Sequence, residues 1–191
     1  MTVDNLIESC KKGDRDAFNE LVLKYQDSVI NLAYNLLSNR DDAYDAAQET
    51  FIKVYRNIGS FRGDSSFVTW IYRITSNVCK DILRKRQKHS NVVSLSPSED
   101  DSDSGFMDIR DDKKTPEERL EVTELQKEVR EALSELKAEY REIIVYCDIE
   151  QLSYEEISKL LKCPMGTIKS RLSRARTALK NNLLKKSGTN Y

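Results

Sequence analysis

The chain has 191 residues, 39% hydrophobic and 33% charged, with a formal net charge of −1. That length holds one ordinary domain or two small ones, and no apolar run approaches the ~20 residues of a membrane span, which excludes a membrane-embedded chain. Met1 to Lys12 lacks an apolar signal core, so the expected location is the cytoplasm.

The near-zero net charge conceals a division. Residues 1–90 carry 14 Lys/Arg against 12 Asp/Glu, residues 91–118 carry 3 against 9, and residues 119–191 carry 14 against 11. Partners are therefore read from the distribution of charge rather than its sum. Cys10, Cys79, Cys147 and Cys163 form no C-x-x-C pair, and with the lone His89 they match no zinc spacing. The expectation is reduced thiols, no metal and no cofactor. Without a Gly-rich phosphate loop or a His-based constellation, no enzyme is expected.

In chain order, Phe18, Leu21, Val22, Tyr25, Val29, Leu32, Ala33 and Leu36 make one helical stripe, which could break near Gln26–Ser28. Ala43, Ala47, Phe51, Val54 and Ile58 make a second. Gly13-Asp14 and Ser38-Asn39 are the stops and caps between stripes. The outer side of the second stripe carries Asp41, Asp42, Asp45, Gln48, Glu49, Lys53 and Arg56. Acids in a first turn suit the helix dipole, and a solvated face accounts for the rest.

A third stripe, Val68, Ile71, Tyr72, Thr75, Val78, Cys79 and Ile82, leaves Thr69, Arg73, Asn77, Lys80, Arg84 and Lys88 on the opposite face. Just before it runs the polar loop Phe61-Arg62-Gly63-Asp64-Ser65-Ser66-Phe67, and then Trp70. A basic stripe beside such a loop suits a nucleic-acid backbone with an unstacked base, although core packing competes for Phe67 and Trp70. Residues 90–118 then turn Ser-rich and acidic, too poor in apolar surface to offset the entropy of ordering, and read as a linker. Helices resume near Pro116, with Val122, Leu125, Val129, Leu133 and Leu136 as one stripe and Tyr140, Ile143, Ile144 and Cys147 as a shorter one.

The most specific signal runs from Gln151 to Leu184. Ser153 and Glu156 have capping-box spacing, and Leu152 and Ile157 stand at the hydrophobic-staple positions. A short helix, Tyr154 to Leu161, is interrupted by Lys162-Cys163-Pro164, because proline lacks an amide hydrogen and pushes its predecessor out of the helical region. In the next helix Ile168, Leu172, Ala175 and Leu179 face inward. Thr167, Ser170, Arg171, Ser173 and Arg174 lie outward, with Lys169 and Arg176 at the margins. Arg can bond a guanine edge with two parallel hydrogen bonds, and Ser and Thr reach phosphates without blocking approach. After Glu156 there are nine basic residues and no acid, which removes repulsion from a DNA backbone. The pattern is a helix-turn-helix.

These segments resemble the extracytoplasmic-function (ECF) sigma factors of bacterial RNA polymerase. Asp42-Ala-Tyr-Asp-Ala-Ala-Gln-Glu-Thr-Phe-Ile-Lys-Val-Tyr55 is similar to that family's polymerase-binding motif. Phe61-Arg-Gly, continuing through Phe67-Val-Thr-Trp-Ile-Tyr-Arg-Ile74 to Arg84-Lys-Arg86, resembles its promoter-melting region. Leu152-Ser-Tyr-Glu-Glu-Ile157 followed by Cys163-Pro-Met-Gly-Thr-Ile-Lys-Ser-Arg171 resembles its upstream-element helix-turn-helix. The resemblance implies an all-α fold of two small helical domains, residues 1–90 and 119–186, joined by a flexible acidic linker, 91–118, with a tail at 187–191. It implies that Asp42, Asp45, Gln48, Glu49 and Ile52 dock on the clamp helices of the polymerase largest subunit. Phe61, Arg62, Phe67, Trp70, Arg73, Asn77, Lys80 and Arg84 would hold the downstream promoter element. Thr167, Lys169, Ser170, Arg171, Ser173 and Arg174 would read the upstream one, while the second domain also touches the polymerase flap. An anti-sigma protein is the further partner it implies.

Promoter elements two DNA turns apart are ~70 Å apart. As a free coil residues 91–118 span about 30 Å, and fully stretched about 90 Å, so the linker bridges the elements only when polymerase holds it extended. Two other readings compete. A stand-alone helix-turn-helix regulator would bind duplex operator without polymerase. A protein-interaction adaptor would tolerate Arg171→Glu with Arg174→Glu.

Overall fold

The computed structural model describes residues 2–90 and 116–186, with side chains over 2–88 and 125–186. Among the described residues the regular structure is helical throughout, in eight α-helices with short 3₁₀ and π segments. The segment read as a linker lies outside the described residues as far as 115, and so does the tail from 187.

Capping chemistry sets the first four helices. In α1 (Val3–Lys11) the Thr2 hydroxyl accepts from the Asn5 amide. Gly13, at φ +88°, makes the turn that a side chain would strain. Asp14 then opens α2 (Arg15–Leu37) by accepting from the Asp16 and Ala17 amides at 2.9 and 3.1 Å. Ser38 ends α2 in the left-handed region, and the Asn39 side chain accepts from Asp42 N at 2.9 Å to start α3 (Arg40–Asn57). A 3₁₀ turn, Ile58–Ser60, and the loop to Ser66 lead to α4 (Phe67–Ser90). The break considered near Gln26–Ser28 does not occur. Val29, Leu32 and Ala33 are all fully buried, and the buried face runs unbroken from Leu21 to Leu36, so packing overrides the weak helix formers.

α5 (Pro116–Ser134) begins on its proline, a position that needs no amide donor. α6 (Ala138–Ile144) runs into a π segment, Val145–Ile149, closed by Glu150 N–H to the Val145 carbonyl at 2.8 Å. The wider π turn buries Val145 and Tyr146 as well as Ile143 and Ile144. α7 (Tyr154–Leu161) and α8 (Met165–Lys186) complete the chain.

In the first half, α2 packs against α1, α3 and α4; in the second, α8 packs against α5, α6 and α7. The halves also meet, α4 against α7 and α2 against α5 and α6, and their buried side chains form one continuous cluster. Arg141 ties this junction. Its guanidinium donates to the carbonyl of Leu36 at 2.8 Å, capping α2 from the other half, and to that of Leu133 at 2.9 Å, at the end of α5.

Candidate nucleic-acid interface

The helix-turn-helix is built as its sequence dictates. The Ser153 hydroxyl accepts from Glu156 N at 3.2 Å, and the Glu156 carboxylate accepts from Ser153 N at 3.0 Å, so two orphan donors of α7 are met reciprocally. The Ser153 hydroxyl also donates to that carboxylate at 2.8 Å, and the bonds the carboxylate accepts, from the Ser153 amide first and the hydroxyl next, hold the Glu156 carboxyl below the usual carboxylate range. Ile157 is fully buried and Leu152 half-buried, as a staple requires. Lys162 ends α7 at φ +52°, and the Ser158 hydroxyl donates to the Cys163 carbonyl at 2.6 Å to fix the turn. Pro164 sits just before α8, not in its first turn. Its carbonyl accepts from Thr167 N at 2.9 Å and Ile168 N at 3.1 Å, the role of a cap.

Along α8, Ile168, Leu172 and Ala175 are buried, which turns the intervening residues outward. Thr167, Lys169, Ser170, Ser173 and Arg174 are exposed on its first three turns. Arg171 is the exception: its side chain is 29% exposed and stands 3.8 Å from Glu139 of α6. Arg176 is an anchor, paired through two bonds of 3.1 and 2.5 Å with Asp148 of the π segment. The exposed row is thus short polar and basic, at the N-terminal end of a helix whose dipole favours anions.

On α4, Arg73, Asn77, Arg84 and Lys88 are exposed. Phe67 and Trp70 are 5% and 7% exposed and belong to an aromatic cluster with Phe61, whose ring centroid lies 5.6 Å from Phe67 and 5.3 Å from Trp70. Phe61 keeps part of its surface in water, and Arg62 is exposed beside it. A cleft of about 310 Å³ opens between α3 and α4, lined by Lys53, Asn57, Ser60, Trp70, Arg73 and Asn77.

Asp45, Gln48, Glu49 and Ile52 are exposed on α3. Asp42 is half-buried and ion-paired with Arg86 near the end of α4. Ile52 and Tyr55, about half exposed, form an apolar edge beside these acids. Sequence reasoning left Tyr55 out, although its spacing from Ile52 places it on the same side of the helix. It also gave no sign of the Asp42–Arg86 pair, whose partners stand at the start of α3 and near the end of α4, beyond the reach of a local spacing rule.

A second difference is larger. Thr69 was expected on the outward face of α4, but it is buried. It is covered because the second half packs there, through a ladder of polar contacts. The Thr69 hydroxyl donates to Glu156 at 3.3 Å and the Tyr72 hydroxyl to Glu150 at 2.6 Å. Ser76 bonds the Tyr146 hydroxyl, which donates to Glu142 at 3.1 Å, and Lys80 pairs with Glu142 at 2.7 Å. Burial pushes the Tyr72 and Tyr146 hydroxyls above the usual phenol range and raises the Glu150 carboxyl. Lys80, read as a DNA ligand, is therefore engaged inside the molecule.

Comparison with known proteins covers both halves. The family model "Sigma-70 region 2" matches residues 21–89, and "Sigma-70, region 4" matches residues 126–179. The chain is 37% identical to the RNA polymerase sigma-H factor of Pseudomonas aeruginosa over 177 residues, covering 91% of this chain and 90% of that protein. It is 36% identical to the ECF RNA polymerase sigma-E factor of Haemophilus influenzae, covering 96% of each. Among solved structures, the sigma factor RpoE of Bartonella quintana, in complex with the anti-sigma factor NepR, matches with a TM-score of 0.65 and 29% identity, covering 88% of this chain and 96% of that one.

Proposed function

Because the chain belongs to the sigma-70 family, as an ECF sigma factor that directs RNA polymerase to promoters, we propose a division of that work among its three exposed faces. The outward row of α8, Thr167, Lys169, Ser170, Arg171, Ser173 and Arg174, reads the upstream element in the major groove. Its support is the one observation that carries the assignment: short polar and basic side chains with no acid among them, on a helix whose opposite face is locked into the core. On α4, Arg73, Asn77, Lys80 and Arg84 hold the downstream element. Phe61 and Arg62, on the rim of the aromatic cluster that Phe67 and Trp70 anchor, receive an unstacked base. Asp42, Asp45, Gln48, Glu49 and Ile52 of α3 dock on the clamp helices of the polymerase, with residues 1–90 and 119–186 as the working domains.

The chain supplies recognition and no catalysis. Opening ten base-pair steps costs on the order of 14 kcal/mol, beyond what a few phosphate contacts and one stacked base return, so strand opening is done with polymerase. The protein works where the polymerase is, in the cytoplasm; no helix among the described residues is long and apolar enough to cross a membrane. Its likeness to a sigma factor solved with an anti-sigma factor supports a similar inhibitory partner here.

The test is run-off transcription from a genomic library with core polymerase. Adding the chain should produce discrete new transcripts. Arg174→Glu should reduce them roughly ten- to a hundredfold, in line with ~1–3 kcal/mol per base contact, while core binding stays intact. Transcripts unchanged by the chain, or by Arg174→Glu, would overturn the assignment.

A further inference from the structure

The acids assigned to polymerase docking are held unequally. Asp42, Asp45 and Glu49 recur at three- and four-residue spacing, so they share one side of α3, where like charges repel. Glu49 is steadied by Lys53 of its own helix at 3.0 Å, and Asp45 stands exposed between the other two. Asp42 is tied from outside the helix. Its Oδ2 is buried with no hydrogen-bond donor in line, and the Arg86 guanidinium of α4 stands in ion contact with it. A buried carboxylate oxygen is costly without a cation beside it. The start of α3 does not need this side chain as a cap, because Asn39 already accepts from the Asp42 amide at 2.9 Å.

Arg86 is placed for this contact and not for the promoter. Residues two apart on a helix point about 200° apart, so Arg86 looks away from Arg84 and from the row that holds Arg73 and Asn77. It stands four residues after Ile82 and seven after Cys79, continuing the stripe that packs inward. Nearby, α3 and α4 stand apart along a cleft of about 420 Å³, with Asp45 and Glu49 on one wall and Lys85 and Lys88 on the other. The Asp42–Arg86 pair bridges the two walls at the end where α3 begins. The Asp42 side chain is still 24% exposed. With Oδ2 covered, the oxygen it has left for a partner is Oδ1.

We propose that Arg86 is a positioning residue for polymerase docking: it takes Oδ2 of Asp42, fixes that side chain and the start of α3 against α4, and leaves Oδ1 to the polymerase. The proposal rests on the docking role given to Asp42 above. A side chain already immobilised spares the ordering that binding otherwise requires, which corresponds to about two- to tenfold in affinity.

Affinity for core polymerase, measured on the full chain without DNA, tests this. Arg86→Gln should bind about two- to tenfold more weakly. Arg86→Lys should recover most of the loss, since a single ion contact and no bidentate fork is at stake. Asp42→Asn should also weaken binding, and adding Arg86→Gln to it should change nothing further. Once polymerase is saturating, promoter affinity of the Arg86→Gln holoenzyme should equal the parent's. Should Arg86→Gln unfold early, Arg86→Met keeps an apolar stem of similar length and makes the same comparison. Unchanged affinity, with or without a lower unfolding midpoint, makes the pair a strut and overturns the proposal. So does an equal loss in the Asp42→Asn background, which marks Arg86 as a direct contact, or a loss of promoter affinity, which marks it as a DNA ligand. If Asp42→Asn binds polymerase like the parent, the docking role of Asp42 falls first and the proposal with it.

Discussion

Ser153 shows how much one side chain can settle locally. Its hydroxyl and amide serve both arms of the cap on α7, and the pairing was legible because donor and acceptor lie three residues apart. Ser153→Ala should lower stability by about 1 kcal/mol in thermal or urea unfolding. The bonds that Ser153 donates to the Glu156 carboxylate depress it, so their contribution is present above the ordinary carboxylate range and fades as pH falls through the depressed value. Acid titration of unfolding should accordingly be flatter in Glu156→Gln than in the parent. Cys79 was read only as a reduced thiol; burial pushes it up to about 12. In the native protein at about pH 8 it should resist alkylation and become labelled only after unfolding, as peptide mass spectrometry can show. Lys80 marks the opposite case. Its basic character was plain, but its partner Glu142 lies outside any local pattern, and a spacing rule sees only neighbours.

At the scale of elements, periodicity carried most of the reading. The stripes of α2, α3, α4 and α8 all prove to be buried faces, because one apolar residue per turn leaves a helix a single way to orient. Leu172→Ala should cost roughly 2–5 kcal/mol and loosen α8, and promoter-specific transcription should fall with it even though no DNA-facing residue has changed. Ile52→Glu, on an exposed edge, should leave folding within about 0.5 kcal/mol and weaken polymerase binding, measured by pull-down of core enzyme. The π segment at Val145–Ile149 was not legible. Its register depends on Tyr146 being drawn into the junction between halves and on Asp148 meeting Arg176, and both ties are tertiary.

For the whole molecule, the sequence divided the chain into two basic halves and an acidic stretch, and the two family matches fall on those halves. It gave no hint that the halves meet. Hydroxyls and carboxylates read as solvated when taken singly, and only their matched order across the junction shows otherwise. Without polymerase, permanganate footprinting should find no open thymines on a promoter mixed with this chain, since the energy of opening exceeds what its contacts return.

The outer flank of α4 leads somewhere else again. Arg73, Asn77 and Arg84 stand in water there, as do Thr167, Lys169, Ser170, Ser173 and Arg174 on α8. With two such rows open, the chain can linger on polyanions and skate along duplex by charge alone. Retention on a heparin column should fall steeply as salt rises, and Arg73→Glu should elute earlier than the parent.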